Sequence, residues 1–413
     1  MMLLAHPLTE PAGLPVSPLV MATVSLCLLA VADRLARPRT DADRDEDVGS
    51  ARAENKGSDD SVGDGDRLSA PRWVTRVIGV ALLVLAIVAG RLGNPAELEN
   101  IAPALVVGAA WPVLLIVSAV VGRVWPWLNP WDTLARFAAP LAGDDPPENP
   151  RSTSVVWALP GAAALAWYLY GFDAALSPRA VSTALAVYTL VTVSGCLLLG
   201  RRQWLARAEV FTLLFGWTAR LRRSGLSGWV PPRNADLVLG ILAGGGLFWL
   251  LHNSQLRDDL AMGTGAALDG SVGLAVSCAV AMALLRAAGR RKPSRGTVTA
   301  AAVPTVAAIL ITGALARSRL LTSLQLLPAL SADPLGRGWT PFGVEVVVNP
   351  TPLVNPSLAL LQVAVLTAGG VVSAVIARRR AGEADAPERG PRGPALLVSC
   401  VFVATAVLAV ALT

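Results

Sequence analysis

The chain has 413 residues, of which 54% are hydrophobic, with a mean hydropathy of +0.55 and a formal net charge of +6. That apolar content exceeds what a soluble domain of this length needs to fill its core, which excludes an ordinary soluble globule. The basic surplus is dispersed over several segments and forms no continuous stripe with a reading motif, so nucleic acid is excluded as the partner.

Ten continuous apolar runs account for the composition: 14–32, 73–90, 101–121, 155–170, 181–199, 237–251, 271–285, 298–316, 357–377 and 395–412. A hydrocarbon core about 30 Å thick takes roughly 20 mostly apolar helical residues, and a central Arg or Asp costs about 2.5–3.5 kcal/mol. The runs are rich in Ala, Leu, Val and Gly without the alternating polarity of barrel strands, and they predict an all-α, polytopic transmembrane helical bundle of about ten spans. The sixth and seventh are the shortest.

In chain order, no Lys or Arg precedes the first run, while Arg34, Arg37 and Arg39 follow it. This pattern predicts a retained helix with its N-terminus outside. Residues 33–72 form a linker dense in Asp, Ser, Gly and Arg over 40–70, expected to be disordered and to separate the 1–32 segment from the main 73–413 domain. Of the 35 Lys and Arg residues, 29 fall in this linker, beside it at Arg76, or in the gaps 122–154, 200–236, 286–296 and 378–394. By the positive-inside rule these gaps are cytoplasmic and both termini are extracytoplasmic. Anionic lipid at the cytoplasmic face is the partner such charge implies, besides the bilayer itself. Only two of the 35 are lysines, as a GC-rich bacterial genome would encode, which points to a multi-pass protein of the plasma membrane.

At 124–131 the sequence Val-Trp-Pro-Trp-Leu-Asn-Pro-Trp predicts a short interfacial helix capped by Asn129, with Pro130 first and Asp132 in the opening turn. Residues 201–223 alternate aromatic and basic positions and predict one amphipathic helix lying in the interface, its aromatics toward acyl chains. Asp132 and Glu209 are the candidates for a proton acceptor facing a cytoplasmic cavity. Asp and Glu are nevertheless expected only in loops and at span ends, without an acid at mid-helix depth. Gly240 and Gly244 give a GxxxG face that predicts close packing inside the bundle. His252 ends the sixth run near Asn253, Asp258 and Asp259, the weak candidate for a metal ligand, while His6 sits in the outer tail. No metal or other cofactor is expected, because no Cys-His cluster or nucleotide motif is present. Cys27, Cys196, Cys278 and Cys400 lie within runs as small apolar residues.

The longest outer gap, 317–356, begins with an apolar stretch at 320–330 able to rest on or dip into the membrane. It continues into the turn-rich segment from Asp333 to Trp339. Asp333 and Arg337 are candidates for substrate contact, with a mutual ion pair as the simpler expectation. Trp73, Trp111, Trp125, Trp127, Trp131, Trp157, Trp167, Trp204 and Trp249 lie near run ends, as an interfacial belt requires. A second linker is expected at 381–394.

The 124–131 segment resembles a motif of the bacterial multipass membrane proteins known as fenitrothion hydrolase. So do Ala208-Glu209-Val210-Phe211, Phe215-Gly216, Ala219-Arg220-Leu221, the Asp333–Trp339 stretch, Asn94-Pro95-Ala96-Glu97 and Asn100-Ile101-Ala102-Pro103. The resemblance runs patchily from about 94 to 380 and implies hydrolysis of an organophosphate triester. It also implies histidines where this chain reads Ala316-Arg317-Ser318, Gly369-Gly370 and Ala377-Arg378-Arg379, so metallohydrolase chemistry is not expected here. Three readings follow: a relative of that family with its site under the outer loop, a permease for a small apolar or zwitterionic solute with a path near Pro112, Pro160 and Pro304, or a structural subunit of a membrane complex.

Overall fold

Apolar runs flanked by Ser, Asn, Pro and Gly become helices with defined ends. The computed structural model describes residues 17–36, 70–141, 154–223, 226, 229–254, 270–290, 294–316, 319–339, 356–381 and 392–412. The chain is an all-α polytopic bundle, and among the described residues the only β-type pairing is an isolated bridge between Ser154 and Arg233.

Helix α1 spans Pro18–Leu35, with the Ser17 hydroxyl accepting from the Val20 amide and proline in its first turn. Helix α2 is Ala70–Leu92, and α3 is Ile101–Val120, capped by Asn100 and carrying a π-helical stretch at Ala104–Ala110. Two short helices follow, α4 at Trp125–Leu128 and α5 at Pro130–Ala138. Then come α6 at Ala158–Tyr170, α7 at Pro178–Leu199, α8 at Arg201–Arg207 and α9 at Val210–Thr218. The remainder is α10 at Ala235–His252, α11 at Gly270–Ala288, α12 at Ser294–Leu315, α13 at Arg319–Ala332, α14 at Pro356–Ala381 and α15 at Arg392–Ala411.

Among the described residues, nine helices are long and apolar enough to cross a bilayer: α1, α2, α3, α7, α10, α11, α12, α14 and α15. The expected fourth span at 155–170 is different, because α6 has only 13 residues, about 20 Å at 1.5 Å per residue. Residues 155–157 are taken up by a turn in which Val155 and Val156 accept from Ala158 and Leu159, and Gly171 ends the helix.

Helix α12 is the axis of the bundle. In its apolar window 94% of residues are buried, against 22% in α1, so it is covered on all sides while α1 presents most of its surface outward. Small residues make this possible: Ala300, Ala301, Ala302 and Ala308 are buried where α10, α14 and α15 pack around the helix, and the Thr305 hydroxyl pairs with Ser373 of α14 at 2.7 Å. Pro304 lies inside this helix, and its carbonyl meets Gly369 where a β-carbon would come within 2.9 Å. The GxxxG face packs inward as expected. A β-carbon on Gly240 or Gly244 would lie 2.7 Å or 2.5 Å from the Cα of Met282 or Cys278 on α11.

Two expectations are corrected by the packing. Residues 201–223 do not form one surface helix: the chain breaks at Ala208 and Glu209, and Leu214, Phe215 and Trp217 are buried inside the bundle. The break is fixed by the Glu209 carboxylate accepting from the Phe211 and Thr212 amides, which starts a new helix. The tryptophan belt is incomplete, since Trp111, Trp125 and Trp131 are buried in protein while Trp73, Trp127, Trp157 and Trp167 are exposed. The apolar start of the 317–356 gap forms α13, which buries Leu320, Ser323, Leu326 and Leu330 and packs against the π-helical stretch of α3. Residues 40–69 of the first expected linker, most of the second, and 340–355 of the long gap lie outside the described residues.

Candidate functional site

The motifs separated in sequence converge at two centres. The first joins the α4–α5 segment to the α8–α9 segment. Asn129 accepts from the Trp131 and Asp132 amides at 3.0 and 3.1 Å, which begins α5 as expected, and its side-chain amide donates to the Thr212 hydroxyl at 3.2 Å. The same hydroxyl accepts from the Trp125 indole at 3.1 Å and donates to Glu209. Glu209 also accepts from the Tyr188 hydroxyl, besides the two amides at the start of α9. One carboxylate thus collects four donors.

Aromatic rings enclose this network. Trp131 stacks on Phe211 with centroids 5.7 Å apart and is T-shaped to Tyr188 with centroids 4.8 Å apart. Trp125 is T-shaped to Phe215 with centroids 4.9 Å apart, and the Trp131 indole donates to Thr189 at 3.0 Å. Glu209 is 1% exposed. Tyr188 and Thr189 stand near the midpoint of α7, so a glutamate expected in an interfacial helix at the cytoplasmic side lies at mid-helix depth. That corrects the expectation that no acid would be found there. The chain reaches this level by folding α8 back along α7: the Trp204 ring occupies the space beside Gly195 where a β-carbon would fall within 2.3 Å.

Asp132 lies one turn beyond Asn129 and is the hub of an ion cluster. Its carboxylate pairs with Arg76 of α2 at 3.1 Å, with Arg136 at 3.2 Å, and with Arg201 at the start of α8. A second hub is Asp236, in the first turn of α10, which pairs with Arg286 at 2.8 Å and Arg295 at 3.1 Å. Arg380, at the end of α14, donates to the carbonyls of Leu226 and Trp229, and Arg222 donates to Val121 at the end of α3. The basic gaps therefore meet at one end of the bundle, the basic pole.

The second centre is at the opposite pole. Here the Asn94–Ile101 segment receives the turn after α13: the Asn94 amide donates to Leu335 at 2.7 Å and the Ile101 amide to Pro334 at 3.3 Å. Gly336 adopts a left-handed conformation, and a β-carbon there would lie 2.1 Å from the Glu99 carbonyl. The expected Asp333–Arg337 ion pair is replaced by backbone contacts. Asp333 accepts from the Gly338 and Trp339 amides at 2.6 and 3.0 Å, and Arg337 donates to the Leu92 carbonyl at 3.2 Å. Burial would raise the Asp333 carboxyl, but the surrounding backbone amides outweigh it and hold it below the ordinary carboxylate value.

His252 lies against Phe248 and Trp249, with ring centroids 5.5 and 6.3 Å away. Asp258 and Asp259, expected beside it, lie outside the described residues, as does His6. No group of three His, Cys, Asp or Glu side chains is gathered for a metal among the described residues. Sequence reading singled out Asp132 and Glu209 but missed Tyr188 and Thr212 as the partners of Glu209. Neither stands in a motif, and only the fold-back of α8 brings them together. Comparison with family models, with curated proteins and with solved structures finds no match.

Proposed function

We propose that the protein is a permease for a small zwitterionic or apolar solute in the plasma membrane, with the basic pole in the cytoplasm and Glu209 as its protonatable group. The observation that carries this reading is the placement of Glu209: 1% exposed, held by Tyr188 and Thr212, and without a Lys or Arg ion pair among the described residues. A serine or asparagine would cap α9 equally well, whereas a buried carboxylate without a counter-ion costs several kcal/mol when charged. What the carboxyl adds over a neutral cap is a proton that can be gained and lost. Ionisable groups at this depth mark proton and solute paths in membrane proteins, and interrupted helices of the α8–α9 kind are where such sites are built.

The orientation rests on the arginine count and on the convergence of Arg201, Arg222, Arg286, Arg295 and Arg380 at one pole. A hydrolytic site under the outer loop has less support, because one Asp333 oxygen is taken up by two backbone amides and Arg337 by a carbonyl. The test is uptake into proteoliposomes of a radiolabelled panel of alanine, proline and glycine betaine under an imposed proton gradient. Gradient-dependent uptake that is lost in Glu209→Gln is expected. Uptake of none of the panel, with release of a nitrophenol from an organophosphate by the same preparation, would overturn the proposal in favour of the hydrolase.

A further inference from the structure

The arginine cluster at Asp132 has more positive charge and more donors than its carboxylate can satisfy. Arg76 and Arg201 both pair with Asp132, and no other carboxylate pairs with either among the described residues, so at least one positive charge is left over before Arg136 is counted. Arg76 is 7% exposed, and its Nε and Nη1 have no hydrogen-bond partner among the described residues. Burying guanidinium donors unsatisfied is costly, and a cluster of this kind is stabilised by an added anion. Glu209, the nearby carboxyl of the polar network, is bonded to Tyr188, Thr212 and the backbone and not to these arginines.

The same two helices that hold Arg76 and Arg136 wall an apolar groove of about 540 Å³, lined by Val77, Val80, Val84 and Val88 of α2 and by Thr133 and Phe137 of α5. It starts beside Arg76 and runs away from the basic pole. The eleven helical rises from Val77 to Val88 make it about 16 Å long, enough for most of an acyl chain. Trp73 and Phe137, with centroids 5.8 Å apart, stand at its charged end. Helix surfaces facing lipid are commonly grooved. This groove differs in ending at an undercompensated arginine cluster, and a phosphodiester with an acyl tail complements both parts at once.

We infer that this is a specific site for one anionic phospholipid, its phosphate at the exposed edge of the Arg76–Arg136–Arg201 cluster and one acyl chain along α2 between Val77 and Val88. The lipid ties α2, α5 and α8 together where their own ion pairs leave charge uncompensated.

The test uses the full chain in a neutral detergent. Thermal unfolding is followed during titration with phosphatidylglycerol, with phosphatidylcholine of the same chains, and with inorganic phosphate. Phosphatidylglycerol is expected to raise the midpoint saturably where phosphatidylcholine does not. Arg201→Gln should weaken the apparent affinity about fivefold, as loss of one basic residue at an anionic surface does. Ala81→Phe, which fills the groove without touching an ion pair, should weaken it too, while Arg286→Gln at the Asp236 hub should leave it unchanged. Equal response to the two lipids overturns the site. A response to phosphate as large as that to phosphatidylglycerol makes it a free-anion site and overturns the lipid. Unchanged affinity in Ala81→Phe overturns the acyl groove even if Arg201→Gln proves too unstable to assay.

Discussion

The hydroxyl of Tyr188 donates to the carboxylate of Glu209, and the same ring makes a T-shaped contact with Trp131, centroids 4.8 Å apart. One tyrosine therefore joins the α8–α9 break to the α4–α5 segment. Replacing Glu209 by alanine removes a helix cap, costing about 1 kcal/mol, and leaves the Tyr188 and Thr212 hydroxyls short of an acceptor, at about 1–3 kcal/mol. Glutamine keeps an acceptor in place and should cost less than half as much. Thermal unfolding of the two variants in detergent measures the difference. Equal losses would mean that the acceptor kept by glutamine contributes nothing to the network.

The two aspartate hubs should respond differently to neutralisation. At Asp132 the partner Arg76 has a side-chain exposure of 8%, whereas at Asp236 the partners Arg286 and Arg295 are 41% and 45% exposed. Asp132→Asn strands a guanidinium that water cannot reach and is expected to cost about 3–5 kcal/mol. Asp236→Asn leaves arginines that turn to solvent, and exposed pairs contribute about 0–1 kcal/mol. Urea or thermal unfolding of both variants in one detergent decides the order. A larger loss at Asp236 would contradict the burial argument.

Close helix contact at α10 makes glycine necessary at two positions and dispensable at another. Gly240→Ala and Gly244→Ala place a β-carbon against the backbone of α11, and overpacking of this kind costs about 1–3 kcal/mol. Gly216, in α9, has nothing within 4 Å of the added carbon. Gly216→Ala should therefore be neutral or stabilising by up to about 1 kcal/mol, through helix propensity alone. Retention of the folded fraction on size-exclusion chromatography after mild heating separates the three variants.

The Asp333 turn carries a pH dependence of known sign. Backbone amides hold the folded carboxyl below its unfolded value, so the turn gains stability from the charged form at pH above the ordinary carboxylate range. That gain is lost as the pH falls through the folded value, because protonation removes the acceptor of the Gly338 and Trp339 amides. Hydrogen exchange at those two amides should accelerate, relative to the intrinsic rate, on acidification into that range. Asp333→Asn should show the weaker protection at every pH.

Much of the fold was legible because apolar run length and helix chemistry act locally. The runs around α2, α7, α12 and α14, the Asn129 cap and the inward GxxxG face all follow from spacing alone. Two failures have one cause. The segment after α7 looked amphipathic because Trp204, Phe211 and Phe215 alternate with arginines, and sequence periodicity cannot tell whether lipid or protein covers the aromatic side. Here protein covers it, which carries Glu209 inward to Tyr188. The Asp333–Arg337 expectation failed for a different reason: opposite charges four residues apart suit a helix, but Gly336 in a left-handed turn points the aspartate at its own backbone. At 155–170 hydropathy sufficed for a span, and the turn at 155–157 shortened the helix.

The account depends on Glu209 gaining and losing a proton while enclosed by Trp131, Phe211 and Tyr188. Infrared difference spectra of the reconstituted protein between acidic and alkaline buffer read this directly, through the stretch of a protonated carboxyl in an apolar setting. The expected result is one such band that titrates in the wild type, is missing from Glu209→Gln and persists in Asp333→Asn. An identical band in wild type and Glu209→Gln, or none in the wild type at any pH, would contradict it.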